Sequence, residues 1–366
     1  MKGVVKKILG ERTKRWLLDF FYNVDLKFII FFSKTPFLSS IYYAFFSSRF
    51  RRESYSVLKG RLAYKHSMHD VGASSALLRR NIHRLEKGLI MRPWREVFAA
   101  DYIMETVVHH GTCLKSELLD EKELNWANDV LSEYFSVVDI SKSEIIKKAF
   151  EINTLNIKEY NIKSESSEGR LIPYSKKDSI NANVSTSELN SLFLQRRSIR
   201  WFDQNRNVEE SKIMKAIDMA SLAPSACNRQ PFSFYYTADK DIAKEVGSIP
   251  MGTAGFSSNF VALIIVIGDL SYYPHERDRH VIYIDSSLAT MQLMLALETM
   301  GLSSCPVNWP DIEKFEQKLA SRLGLQAQQR PVMLLPVGYA DMNGMIPFSQ
   351  KKSSSVLAMK ILGKNK

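Results

Sequence analysis

Two short runs in the second half of the chain hold residue types suited to a charged, planar ligand. The first, RRSIRWF at 196–202, places Arg196, Arg197, Ser198 and Arg200 within five residues. Three guanidiniums and a hydroxyl at that spacing can hold a dianionic phosphate through forked, charge-assisted hydrogen bonds. Alone, the run also reads as a solvated basic helix end. The second, APSACNRQPF at 223–232, packs two prolines, small residues and two amides into one loop. The Asn228 amide can donate to and accept from the edge of a heterocycle. Alone, this run also reads as a turn.

The elements that must position these runs follow from periodicity and punctuation. Ser185 and Glu188 have capping-box spacing and open a helix running to about Gln195, so the arginines fall at its end. A helix over about 209–222 puts Ile213, Met214 and Ile217 on one face and must stop before Pro224. FSFYYTA at 232–238 reads as a strand. The continuous apolar runs FVALIIVIG at 260–268 and PVMLLPVGYA at 331–340 read as strands covered on both faces. Residues 284–301 form a long helix with few charges, hence buried, and Gly301 ends it. Strands and helices in this order give an α+β, three-layer fold.

Taken together and in order, the two runs, GLSSCPVNW at 301–309 and the closing LPVGYADMNGMIPFSQKK at 335–352 resemble the flavin-dependent nitroreductase family, over residues 187–366. The resemblance implies a central, mainly antiparallel sheet flanked by helices and an intertwined homodimer with FMN at its interface. It implies that Arg196, Arg197, Ser198 and Arg200 hold the phosphate and the ribityl–pyrimidine side, with Lys351 or Lys352 adding charge. Pro224, Ser225, Ala226 and Asn228 reach the flavin bound mainly by the other subunit. Pro306, Val307 and Asn308 pass over the ring. Hydride moves from NADH or NADPH to the flavin N5 and on to a small-molecule acceptor. The cofactor carries the chemistry, so no catalytic side chain is assigned. Asn308-Trp309 departs from the family pattern and would crowd or reshape the ring's edge. So does Ser353, which follows the lysines where relatives often place proline. Cys227 reads as a small neutral loop residue, with a redox role as the alternative. Phe256, Tyr272, Tyr273 and His275 either line a substrate mouth or serve core and loop.

The first half is different in character. Residues 1–100 hold 20 Lys and Arg against 7 Asp and Glu, whereas the rest of the chain is near neutral. Residues 16–50 contain 13 aromatics, and Trp16, Phe20, Val24, Phe28 and Phe32 recur every four residues, with Lys27 near the stripe. The longest uncharged run there is 14 residues, short of the roughly 20 that cross a bilayer. Basic clusters at both ends suit a helix lying on an anionic membrane surface; the alternative is the core of a helical domain or a contact with a partner. No nucleic-acid module is recognisable, so no nucleic-acid partner is expected.

Residues 55–160 read as mostly helical, with Leu77, Leu78, Ile82, Leu85 and Leu89 on one helical face. His66, His69, His83, His109 and His110 lack ligand spacing, and no metal is expected. Three scattered cysteines and no recognisable signal peptide fit a reducing cytoplasm, peripheral on the membrane's cytoplasmic face if the aromatic segment docks there. RRNIHRLEKGL at 79–89 also resembles a segment of nitroreductase-like proteins from surface-polysaccharide gene clusters. The expected organisation is a basic, aromatic-rich helical domain over 1–160, a polar linker over 161–186 and an FMN-binding domain over 187–366. A rival function is a membrane-associated scaffold protein in envelope polysaccharide assembly that binds flavin without turnover.

Overall fold

A computed structural model of the chain describes residues 11–160 and 169–361. Lys6 and Lys7 of the first basic cluster, and residues 161–168 of the polar stretch, lie outside the described residues. Two compact units are present, Met1–Ser56 and Val57–Lys366.

In the first unit, α1 (Glu11–Phe32) is followed by α2 (Pro36–Ile41), then a single π-helical turn over Tyr42–Phe46. Thr35 caps α2 by accepting from the Leu38 N–H at 3.2 Å, and Pro36 occupies the first turn, where its missing N–H costs nothing. Phe32 packs against Tyr42 and Phe46, with ring centroids 5.5 and 5.3 Å apart. Trp16 stacks on Phe20, yet both remain at least half exposed, as do Phe21 and Tyr22.

A helical part continues from α3 (Arg51–His66) through α4 (Ala76–Leu89), α5 (Ile103–Leu114), α6 (Glu121–Val137) and α7 (Glu144–Glu159). Ser75 caps α4, accepting from the Leu78 N–H, and the expected apolar face buries Leu77, Leu78, Ile82 and Leu85. Leu78, Ile82 and Leu85 share a core with Ile103 and Val107 of α5, Tyr134 of α6 and Ile146 of α7. Among the described residues no three His, Cys, Asp or Glu side chains converge as metal ligands. His110 is wholly buried, and burial pushes its imidazole down to about 4.

The remainder is an α+β fold. It comprises α8 (Thr186–Gln195), α9 (Glu210–Ala220), β1 (Phe232–Thr237), α10 (Lys240–Gly247), β2 (Ala262–Asp269) and α11 (Val281–Thr299). Then come β3 (Ser303–Ser304), β4 (Val307–Asn308), α12 (Glu313–Leu323), β5 (Gln329–Gly338) and a short α13 (Ser354–Leu357). All strand pairs are antiparallel, in the order β1-β2-β5, and both β3 and β4 pair with β5. Seven consecutive residues of β2 are buried. Successive strand side chains point to opposite faces, so this sheet is covered on both sides. The capping box at Ser185 and Glu188 is formed, and α8 ends at Gln195 as the sequence indicates.

The helical part packs directly on the segment that leads into α11. Val57 joins Leu270, Tyr273 and Ile282 in one apolar cluster. α3 approaches so closely that a Cβ on Gly60 would lie 2.6 Å from Leu270 Cβ, so only glycine fits there. Arg61 pairs with Glu276 and donates to the Pro274 carbonyl at 3.3 Å.

Candidate active site

The arginine run leaves α8 in extended conformation and is pinned at both ends. Ser198 bridges Ser304, with the Ile199 N–H donating to the Ser304 carbonyl at 3.1 Å. Phe202 bridges Ala340 beyond β5. The approach at that second point requires glycine, since a Cβ on Gly338 would meet Phe202 Cδ1 at 2.8 Å. The run is thereby laid beside 303–308, where Pro306 and Asn308 are exposed and Val307 is half-buried. Trp309 turns into the main core.

Within 4 Å, Arg196, Arg197 and Arg200 make no ion pair among the described residues. Arg197 donates to the Pro347 carbonyl at 2.8 Å and also to Phe348, so it ties down the chain beyond β5. Arg200 donates weakly to the Ser198 carbonyl at 3.4 Å and lies 5.7 Å from the Phe256 ring. Burial pushes the Cys305 thiol up, against the opposing influence of Arg200, Ser198 and Arg196. The same burial pushes up the Glu298 carboxyl, opposed by Gln195 and Arg196. A cavity of about 220 Å³ lies here, lined by Arg200, Trp201, Glu298, Ser303 and Met345 among others. The patch thus has positive charge, three half-buried arginines without carboxylate partners and an exposed strand edge, groups that could hold a phosphate and a flat ring. Lys351 and Lys352 are exposed on the following segment.

The 224–232 loop forms a second, separate cluster. Cys227, Asn228 and Gln230 all adopt left-handed backbone conformations, with φ of 53°, 51° and 49°. For residues with a Cβ this costs about 1–2 kcal/mol each, somewhat less for asparagine, and persists only where surroundings hold it. The holding contacts are explicit. The Ala226 N–H donates to Asp285 Oδ2 at 2.9 Å, the Gln230 N–H to Ser225 Oγ at 3.1 Å, and the Gln230 amide to the Ser221 carbonyl at 2.9 Å. The Asn228 carbonyl accepts from Arg79 Nε at 2.7 Å. Pro224 is exposed, and Ser225, Ala226 and Asn228 are half-buried. Of the aromatic candidates for a substrate mouth, Tyr273 is core, donating to Asp285 at 3.3 Å; Tyr272 is pushed up to about 12 by burial. Phe256 packs edge-on against Phe260, and His275 is exposed.

The residues that sequence reading missed are Asp285, Arg79 and Arg229, whose buried guanidinium lies 4.8 Å from the Tyr273 ring. One signal was available: the apolar run 284–301 contains only two charges, Asp285 and Glu298, and a lone acid in a buried helix needs a partner.

The nitroreductase family model matches residues 193–254 and 260–339. An Archaeoglobus fulgidus protein named "Putative NADH dehydrogenase/NAD(P)H nitroreductase" is 30% identical over 146 residues, covering 39% of this chain and 80% of that protein. "Putative NAD(P)H nitroreductase YdgI" of Bacillus subtilis is 24% identical over 193 residues, covering 43% of this chain and 90% of that protein. A solved structure described as an FMN-dependent nitroreductase from Clostridium difficile R20291 superposes with a TM-score of 0.38 at 23% identity, over 48% of this chain and 98% of that one.

Proposed function

The chain belongs to the nitroreductase family through residues 193–339, and on that premise we propose that it is an FMN-dependent NAD(P)H oxidoreductase working as a homodimer. The observation that carries the reading is the cluster of arginines without carboxylate partners laid beside the exposed edge at 306–308. Arg196, Ser198 and Arg200 would hold the phosphate and ribityl side. Arg197, through its bonds to the Pro347 and Phe348 carbonyls, steadies the segment that leads to Lys351 and Lys352. Pro306, Val307 and Asn308 would face the ring. Pro224, Ser225, Ala226 and Asn228 would reach the flavin held mainly by the other subunit, which agrees with the loop's lying in a cluster of its own. FMN, held by these residues, would supply two-electron chemistry between NADH or NADPH and a small-molecule acceptor. The fixed positive charge of Arg196 and Arg200 would be this chain's electrostatic contribution, favouring negative charge on a group bound there.

The proposal extends to location and pathway. The exposed aromatics of α1 and the basic excess of the first 100 residues support peripheral attachment to an anionic membrane on its cytoplasmic face. The resemblance of the 79–89 run to a segment of proteins from surface-polysaccharide gene clusters is the ground on which we propose a link to that metabolism. The same exposed aromatics favour the second reading, a membrane-bound scaffold that binds flavin without turnover.

Purification tests both. A yellow protein bleached by NADH or NADPH is expected. Yellow protein that no reductant bleaches selects the scaffold, and colourless protein that takes up no added FMN sinks both readings.

A further inference from the structure

The helical part that precedes the family match reaches into the candidate flavin loop. α4 starts at the Ser75 cap, and one turn later Arg79 projects its guanidinium between two acceptors on different parts of the chain. Its Nη1 meets Glu123 Oε2 of α6 at 3.0 Å, and its Nε meets the Asn228 carbonyl at 2.7 Å. Glu123 is almost wholly buried and is organised by two further donors, the Ser74 hydroxyl at 2.7 Å and the Ser75 N–H at 2.9 Å. Arg79 also lies 5.5 Å from the Trp126 ring. Each bond of the guanidinium is therefore fixed in direction by groups that are themselves fixed.

The acceptor is the informative part. Asn228 is one of three left-handed residues in the loop, and its carbonyl direction depends on that strained backbone. Asp285 holds the loop from α11 through the Ala226 N–H, and Arg79 holds it from the helical part through the Asn228 carbonyl. We propose that Arg79, backed by Glu123, is a positioning residue for the cofactor: the helical part clamps the 224–230 loop in the strained conformation that meets the flavin. The inference rests on the flavin reading of the loop, and nothing in the nitroreductase match, which begins at 193, assigns it.

Arg79→Lys tests it in the full chain. The ammonium keeps a cation beside Glu123, so no buried carboxylate is stranded, but one compact charge cannot serve both acceptors in the same directions. Two quantities are measured: the FMN Kd of cofactor-free protein, and amide hydrogen exchange along residues 225–230 before FMN is added. The expected result is an FMN Kd raised about tenfold and loop exchange quickened about tenfold, with exchange along β2 unchanged. Arg84→Gln, which alters another α4 arginine paired with Asp101 and stacked on Tyr102, leaves both quantities within twofold. Glu123→Gln gives a smaller change in the same direction and serves where Arg79→Lys folds poorly. Loop exchange within twofold of the parent overturns the clamp, as does quickening spread equally over β2. Quickened loop exchange with an unchanged Kd overturns its link to the cofactor. If the parent itself binds no FMN, the flavin reading fails, while the exchange measurement still decides whether Arg79 holds the loop.

Discussion

Two helices of this chain, α1 and α11, have similar lengths and are both dominated by apolar residues, yet they meet opposite environments. α1 carries bulky aromatics on several faces and leaves Trp16, Phe21 and Tyr22 more than 60% exposed. α11 carries small and branched residues, such as Ser286, Ala289, Thr290 and Ala296, and buries them with Leu293 and Leu297 against the sheet. Small side chains let a helix approach β2 closely enough to fill space at interior density. Phe28 and Phe32 of α1 meet the rings of Tyr42 and Phe46, but Trp16, Phe21 and Tyr22 stay exposed. Their acids differ too: Asp19 and Asp25 of α1 are exposed, whereas Asp285 and Glu298 of α11 are buried and engaged with the loop and with Gln195. Apolar content therefore does not place a helix; the size of its side chains and the partners of its few charges do.

That contrast can be broken by substitution. Leu297→Ala in α11 should cost about 3 kcal/mol of unfolding free energy through lost burial and a residual cavity. A denaturant titration showing less than about 1 kcal/mol would remove α11 from the core. Asp285→Leu deprives the Ala226 N–H of its acceptor and should weaken FMN binding by about tenfold, a loss near 1.4 kcal/mol in a fluorescence titration. Unchanged affinity would detach the loop from the cofactor. Trp16→Ser with Phe20→Ser and Phe21→Ser should reduce sedimentation with phosphatidylserine-containing vesicles several-fold, and do less with neutral ones. Equal binding of parent and variant would end the membrane reading of α1. The effect of pH is subtler. Burial raises the folded-state pKa of Glu298, so the folded chain binds its proton more tightly than the unfolded one, and stability falls as pH rises above the ordinary carboxylate range. Glu298→Gln should flatten that decline in thermal melts recorded across pH. The smallest effect belongs to Phe20→Ala in α1, expected to shift unfolding by under about 0.5 kcal/mol because the ring is already half exposed.

Most elements were legible because local chemistry alone specifies them. The Ser185–Glu188 capping box and the unbroken apolar run of β2 need no distant partner to be recognised. α11 likewise ends just before Gly301, whose φ of +76° suits glycine. The arginine run was legible as a phosphate candidate by type and spacing, but not the use of Arg197 as a brace for 347–348, which depends on where chain beyond β5 returns. The left-handed loop was hidden because Cys227, Asn228 and Gln230 are not glycines, the usual mark of positive φ. Its clamp was hidden for another reason: Arg79 and Asn228 are 149 residues apart, and no periodicity links them. The π-helical turn at Tyr42–Phe46 had no signal in an aromatic run that reads equally well as ordinary helix.

The close fit of Gly60 on Leu270, described above as a matter of space, bears on how this chain can be divided and inherited. A fragment starting near residue 187 would contain the whole family match, but with the Leu270 side exposed and the loop released on the face that α4 now occupies. Cutting the second unit near residue 187 would therefore uncover Leu270, and a methyl group added at Gly60 would force α3 away from it, a cost paid far from the loop in sequence.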